Sequence, residues 1–183
     1  MIHKGTKTLL TERLILRRFV TDDAETMFNN WANDPEVTRF LSWEPHGEVE
    51  VTKTLLQYWV EDYENSNCYN WAIVYDNNLI GTISLLNPKD DIGEAEAGYC
   101  MAKKYWGKGI MAEALTAVFK FSLNEIGFKR IVAKHNVDNP NSGKVMTKSG
   151  MKYLETKNAP LALNPDKIVM CDFYEICNTS IPR

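Results

Sequence analysis

Two glycines, Gly107 and Gly109, form a turn that could bind an anion through the protein backbone alone. The turn leads directly into an amphipathic run at 112–125, which predicts a helix that begins there. The first N–H groups of a helix have no internal partner, and the helix dipole adds positive charge, so phosphate oxygens can dock without any side chain. Glycine also lets a ligand approach the main chain closely. Short glycine turns cap ordinary helices as well, so both interpretations stay open on this motif alone.

Two acidic residues and a cysteine share one face of a predicted strand. Side chains alternate between two faces along 94–101, so Glu94, Glu96 and Cys100 project to the same side. A carboxylate held near a reacting group can accept its proton, although glutamates on an exposed strand are more often only solvated. Cys100 lies in an apolar strand and is interpreted as a packing residue rather than an acyl carrier.

A loop at 41–47 contains two ring side chains, Trp43 and His46, together with the chain-breaking residues Pro45 and Gly47. Loops carry many binding residues because a rigid scaffold holds them at the surface, and this composition suits the lip of a binding site. A plain connecting loop is the alternative interpretation.

The rest of the chain divides into the strands and helices that must position these residues. Apolar periodicity, turn residues and helix caps set the boundaries. A helical crossover predicts that the strand after 112–125 runs parallel to 94–101, whereas hairpin turns predict antiparallel neighbours elsewhere. The fold class is therefore α+β, a mixed, mostly antiparallel central sheet flanked by helices. The predicted strands are 14–19, 70–75, 79–86, 94–101, 129–134, 151–156 and 168–176, and the predicted helices are 21–31, 48–65, 112–125 and 139–150.

Length and composition predict one soluble domain. The 183 residues suit a single domain, 1–183, with a core at about 10–176. Apolar residues make up 44% and charged residues 25%, and no stretch reaches the roughly 20 consecutive apolar residues of a membrane span. The N-terminal residues show no signal-peptide pattern, so a cytoplasmic protein without a membrane partner is expected.

Charge and ligand spacing argue against two further classes of function. A net charge of −3 gives no broad basic surface for a nucleic-acid backbone, so no nucleic-acid partner is predicted. The four cysteines and three histidines lack zinc-ligand spacing, so no metal site is predicted and the cysteines are interpreted as reduced. His135, at the end of a predicted strand, is interpreted as a structural or solvent-facing residue rather than as a base.

The element order, with a Gly-Lys-Gly turn between the central strand and a helix, resembles the GNAT superfamily of acyl-CoA-dependent N-acyltransferases. The likeness covers roughly 10–176. Several segments together are similar to the branch that acetylates N-terminal amines of ribosomal proteins. These segments are Thr11-Glu12-Arg13-Leu14-Ile15-Leu16-Arg17, Asp34-Pro35-Glu36-Val37, Gly98-Tyr99, Tyr105-Trp106-Gly107-Lys108-Gly109 and Asn139-Pro140-Asn141-Ser142.

The resemblance implies acetyl-CoA as cosubstrate, with its pyrophosphate on the glycine turn and its pantetheine arm along the edge of strand 94–101. Trp106 and Met111 depart from the superfamily pattern, but backbone N–H groups supply most of the phosphate contact and should tolerate these changes. Asn136 and Asn139 are implied at the pantetheine amides, with turn formation as the alternative. The residues implied at the coenzyme are Tyr99, Cys100, Met101, Trp106, Gly107, Lys108, Gly109, Ile110, Met111, Ala112, Asn136 and Asn139.

The same resemblance implies a direct transfer to an amine in a ternary complex. An amine attacks only when it is unprotonated, and the resemblance makes Glu96, and after it Glu94, the candidate base. Many relatives place a tyrosine in the last helix to protonate the departing thiolate, whereas this chain has Met146 at that position. In the ribosomal-protein branch a serine takes this role, which implies Ser142. Bonding of the Ser142 hydroxyl to a free backbone group of the helix is the alternative.

The acceptor amine stays open. A protein N-terminus and a small molecule such as a polyamine, aminoglycoside or amino acid all present one, and it is expected to enter from the side of Trp43 and His46. Both a monomer and a homodimer are compatible with the sequence.

A non-catalytic acyl-CoA sensor is one alternative function. A dinucleotide-binding oxidoreductase is a weaker one, because the glycine turn does not follow its strand directly and the next strand ends without an acidic residue.

Overall fold

Eight strands form one mixed sheet in this computed structural model, which describes residues 1–161 and 164–178. Their order across the sheet places the seventh strand at one edge and the first at the other. All described pairs are antiparallel except the fifth with the sixth. The strands are β1 (Leu9–Leu10), β2 (Leu14–Arg17), β3 (Tyr69–Tyr75), β4 (Asn78–Lys89), β5 (Glu94–Met101), β6 (Arg130–Asn136), β7 (Lys152–Leu161) and β8 (Asn164–Cys177), in the order β1-β2-β3-β4-β5-β6-β8-β7.

The helices are α1 (Ala24–Met27), α2 (Pro35–Thr38), α3 (Val49–Asp62), α4 (Ile110–Phe121) and α5 (Pro140–Lys148). Both α2 and α5 begin with proline, whose missing N–H would have no partner in the first turn. Helical turns at Phe28–Ala32 and Ser122–Ile126 extend α1 and α4. Within the described ranges, no helix has the length and apolar character needed to cross a bilayer.

Strand register determines which side chains share a face of the sheet. Residues directly opposite on antiparallel strands point the same way, and register aligns Arg17 in β2, through β3 and β4, with Cys100 in β5. Arg17 donates two hydrogen bonds to Asp23, immediately before α1, so this side is named the α1 face. Tyr99 points the opposite way, and its hydroxyl contacts Ser142 in α5, so the other side is named the α5 face. Helices therefore pack on both faces of the sheet.

The observed elements confirm the predicted fold class, but most boundaries shift by a few residues and two short elements are added. The two-residue strand β1 and the four-residue helix α2 are additions, because elements this short give no periodic signal. Strands β7 and β8 extend beyond the predicted ends. Pro160 lies in β7 opposite Ile168, and proline is tolerated there because β7 is an edge strand.

Candidate active site

Strands β5 and β6 pair for only three residues and then separate. Their parallel register joins 94–96 to 130–132, whereas β5 continues beside β4 to Met101 and β6 continues beside β8 to Asn136. Unpaired backbone N–H and C=O groups along such a gap can bind an extended ligand as if it were an added strand. The opening between 97–101 of β5 and 133–136 of β6 is called the sheet fork below. It contains the predicted coenzyme edge at Tyr99, Cys100 and Met101.

The predicted anion turn stands just beyond the β5 arm of the sheet fork. Gly107 and Gly109 have φ angles of 74° and 73°, values in the left-handed region that glycine adopts without strain. Gly109 is the N-cap residue of α4, so the first free N–H groups of that helix belong to the next residues along the chain. The side chains of Ile110, Met111 and Ala112 are buried in the core. Any contact of these three residues with a ligand therefore falls to their backbone.

Side-chain contacts of Trp106 and Lys108 connect the turn to the end of β5 and to the residues that follow it. The Trp106 indole Nε1 donates to the carbonyl of Met101 at 2.7 Å. The Lys108 ammonium lies over the Tyr105 ring, 5.4 Å from its centroid. Trp106, which departs from the superfamily pattern, thus connects the turn to the strand arm beside it.

Two cationic residues that sequence patterns did not single out as site residues converge on the glycine turn. Arg13 donates from Nη1 to the carbonyl of Lys108 at 3.2 Å and pairs with Glu113 of α4 at 2.6 Å. Lys148, the last residue of α5, brings its Nζ to 3.1 Å from the point where a β-carbon on Gly109 would lie. Arg13 belongs to a segment that carried the resemblance, but its contacts span about a hundred residues of chain, and Lys148 gave no local signal.

The two candidate bases on β5 have different partners. The Glu94 carboxylate is held by Arg130 at 2.7 Å and by Lys89 at 3.2 Å, and its side chain is 12% exposed. Glu96 is the last residue of β5 that pairs with β6 and lies on the α1 face, where one of its oxygens is 3.2 Å from the Nζ of Lys134. Glu94 is therefore part of an ionic clamp, whereas Glu96 stands where the sheet fork opens.

Tyr99 and Ser142 meet on the α5 face. Their side-chain oxygens lie 2.8 Å apart, and the Tyr99 hydroxyl also donates to the Ser142 carbonyl at 3.1 Å. Burial raises the pKa of Tyr99, so its hydroxyl stays protonated at neutral pH. Met146, where many relatives have a tyrosine, is buried in the core. A phenol from the strand thus contacts Ser142, and the serine hydroxyl is directed at β5.

Close packing of α5 on the sheet sets the position of Ser142. A β-carbon on Gly143 would lie 2.5 Å from Nε2 of His135 and 3.1 Å from the hydroxyl of Tyr174. A glycine is therefore required where the helix crosses these two rings. His135 is 7% exposed and lies against this helix, in agreement with a structural interpretation.

The two asparagines lie between β6 and α5. The Asn136 side-chain oxygen accepts a hydrogen bond from the backbone N–H of Asp138 at 2.9 Å, which is the turn-forming arrangement that sequence reasoning kept as an alternative. Asn139 is the N-cap residue of α5, three positions before Ser142. Both residues thus lie next to the β6 arm of the sheet fork.

The Trp43 and His46 rings lie together in the loop between α2 and α3. Their centroids are 5.1 Å apart, and Nδ1 of His46 is 2.7 Å from the hydroxyl of Thr52. Burial lowers the pKa of His46. Among the described residues, no hydrogen bond or ion pair connects this loop to Glu96 or Ser142.

Cys100 is 9% exposed and packs in the core. Burial raises the pKa of its thiol to about 12, so the thiolate needed for an acyl carrier does not form at neutral pH. This surrounding agrees with the packing interpretation.

Comparison with known proteins connects this geometry to a family. Residues 13–152 match the family model described as acetyltransferase (GNAT) domain. The chain is 31% identical over 170 residues to the uncharacterized N-acetyltransferase YoaA of Bacillus subtilis, an alignment that covers 88% of this chain and 96% of YoaA. It is 30% identical over 111 residues to the ribosomal-protein-serine acetyltransferase of Escherichia coli, which covers 60% of this chain and 62% of that protein.

A solved structure shows the same fold. The microcin self-immunity acetyltransferase MccE, in complex with acetyl-CoA and AMP, matches with a TM-score of 0.79 at 19% identity, over 91% of this chain and 93% of that one. The family match spans well over half of the chain, and YoaA aligns along nearly its whole length. These findings confirm the resemblance drawn from the sequence: the chain belongs to the GNAT superfamily and is an N-acetyltransferase.

Proposed function

We propose that this enzyme transfers the acetyl group of acetyl-CoA to a primary amine by direct attack in a ternary complex, with a protein N-terminus as the favoured acceptor. The observation that carries the proposal is the sheet fork beside the glycine turn. Acetyl-CoA is long, with amides in one half and phosphates in the other, and suits an unpaired strand edge next to a backbone anion site. The acetyl-CoA in the MccE structure and the named ribosomal-protein substrate class of the E. coli relative support the choice.

In this proposal the coenzyme is held largely by main-chain groups. The backbone of 97–101 pairs with the pantetheine arm, and the turn at 107–109 with the start of α4 binds the pyrophosphate. Arg13 and Lys148, which lie beside that turn, add positive charge for the phosphates.

We also propose that the chain works as one cytoplasmic domain, as a monomer or a homodimer, and gel filtration tests its size.

The chemistry assigned to the side chains is a proton transfer at each end of the reaction. Glu96 removes a proton from the acceptor amine, directly or through a water molecule, and backbone N–H groups of the sheet fork stabilise the oxyanion. Ser142 donates a proton to the departing thiolate, and the Tyr99 hydroxyl positions Ser142. A thiolate with a pKa near ~8.5 is a tolerable leaving group without an acid, so loss of Ser142 should slow the reaction without stopping it.

The test is thiol release from acetyl-CoA in the presence of N-terminal peptides, polyamines, aminoglycosides or amino acids, with calorimetric titration of acetyl-CoA alongside. Amine-dependent release with peptides would support the proposal in full. Thiol release with small amines alone would support the transferase activity but replace the protein N-terminus with a small molecule as the acceptor. Binding without release from any amine would favour a sensor, and absence of binding would overturn the coenzyme assignment.

A further inference from the structure

Lys134 places an amine of the protein itself beside the proposed base. Its Nζ lies 3.2 Å from Oε1 of Glu96, which is within hydrogen-bond distance, as a general base requires of the atom whose proton it removes. The Lys134 side chain is 17% exposed, so this amine is held in the site rather than extended into solvent. An incoming acceptor amine would have to occupy the same neighbourhood of Glu96.

The ion pair crosses the sheet fork from one arm to the other. Glu96 is the last residue of β5 that pairs with β6, and Val132 is its partner on β6. Lys134 lies two residues beyond Val132, on the free arm, and points to the α1 face as Glu96 does. Its amine therefore lies at the opening where the proposed function places the acetyl group.

Other lysines of the chain have a different setting. The side chains of Lys53, Lys103 and Lys157 are 49%, 51% and 52% exposed and pair with carboxylates at the surface. Acetyl-CoA reacting from solution would reach these exposed amines before it reached Lys134. Selective reaction at Lys134 would thus require the enzyme's own site.

We propose that the enzyme acetylates its own Lys134 when acetyl-CoA is bound and no external acceptor is present. This inference rests on the proposed function, because it uses the same donor and the same base. The Lys134 ammonium gives one proton to Glu96, and the neutral amine attacks the acetyl carbon. The new N–C bond forms as the C–S bond breaks, and the electron pair leaves with the coenzyme sulfur. The second proton lost from nitrogen goes to that thiolate, and Glu96 releases the first to solvent.

Acetylation would remove the positive charge that pairs with Glu96. The product is an Nε-acetyl-lysine whose amide no longer forms an ion pair with a carboxylate. Glu96 would then be available to an external amine, so the modified chain is expected to bind acceptors with less competition from its own side chain.

The experiment incubates the purified full chain with acetyl-CoA and no amine, followed by intact-mass measurement and peptide mapping. The expected result is one acetyl group per chain, at Lys134, with a rate that does not depend on protein concentration. Glu96→Gln should slow the labelling roughly 100-fold, the scale of a lost general base. Lys134→Arg keeps a cation beside Glu96 and should abolish the labelling, whereas the matched change Lys157→Arg should leave it intact.

Labelling that spreads over the exposed lysines, or that Glu96→Gln leaves unchanged, would overturn the inference. An unmodified Lys134 in a chain that binds acetyl-CoA and acetylates an added amine would overturn the inference and leave the proposed function standing. A chain that fails to bind acetyl-CoA would overturn both.

Discussion

Glu94 and Glu96 are two residues apart on one strand face, but they have different ionic partners. We expect Glu96→Gln to lower kcat by roughly 100- to 10,000-fold, because the amide keeps the shape of the side chain but cannot accept the proton. The affinity for acetyl-CoA, measured by calorimetry, should stay nearly unchanged. Turnover at saturating amine that equals that of the unaltered enzyme would remove Glu96 from the mechanism.

Glu94→Gln is the matched control on the same strand. Its carboxylate holds Arg130 and Lys89, so the substitution should lower the melting temperature by a few degrees while kcat of the folded enzyme changes little. Thermal unfolding and kinetics on the same sample separate the two effects.

Tyr99 and Ser142 should act as a unit. We expect Ser142→Ala to lower kcat by about tenfold, since the thiolate leaves without a nearby donor, and Tyr99→Phe to lower it by less because only the orientation of Ser142 is lost. The double variant should be no slower than Ser142→Ala alone. If the fold-losses in kcat of the two single variants multiply in the double variant, the two residues act independently.

Cys100 provides a test of the direct mechanism. Its thiol pKa of about 12 keeps it protonated at neutral pH, so Cys100→Ala should retain activity. A loss of more than about a hundredfold with coenzyme binding intact would instead indicate a covalent acyl intermediate.

At the scale of elements, the end of α5 and the start of α4 meet at the glycine turn. We expect Lys148→Gln to weaken acetyl-CoA binding roughly 5- to 20-fold, because its ammonium lies beside Gly109 and an exposed charge contributes less than a buried one. Acetyl-pantetheine, which lacks the phosphates of the nucleotide half, should bind equally to both forms. Lys144→Gln, one turn earlier on the same helix, should have little effect on either ligand.

Local signals in the sequence were sufficient for elements whose cause is local. Asp76 and Asn77, residue types that tolerate positive φ, adopt it in the hairpin turn between β3 and β4, and Gly127 with positive φ ends the extended α4. The sheet fork has no such signal, because the divergence of β5 from β6 depends on which neighbour each strand keeps. Only the family resemblance, which implied a coenzyme along the edge of strand 94–101, pointed to an open edge at this place.

The site residues also divide into those with a local sequence signal and those without one. The glycine turn is encoded by adjacent residues and could be predicted. The contacts of Arg13 with Glu113, of Lys148 with the turn and of Tyr99 with Ser142 join distant segments, so no spacing in the sequence reveals them. No signal in the sequence indicated the partner of Glu96 either, although the alternation along 94–101 predicted the face that Glu96 shares with Glu94 and Cys100.

At the scale of the whole molecule, stability should depend on pH through His46. Burial lowers its pKa in the folded state below the unfolded value near ~6.5, so the unfolded chain binds more protons as the pH falls through that value. The contribution of His46 to folding stability is therefore fully present well above pH 6.5 and is lost as the pH falls through that value toward the lower pKa of the folded state. The melting temperature should fall between about pH 7.5 and 5.5, and His46→Gln should reduce that fall. An identical fall in the variant would assign it to other groups.

The sheet fork also bears on how this protein tolerates mutation. A backbone amide is the same chemical group in every residue except proline, so most substitutions along 97–101 leave intact the groups proposed to recognise the acetyl donor. In a library of random variants, donor use should therefore persist while side chains that face the acceptor change freely. With this architecture, single substitutions can change the acceptor preference during evolution while the donor site stays the same.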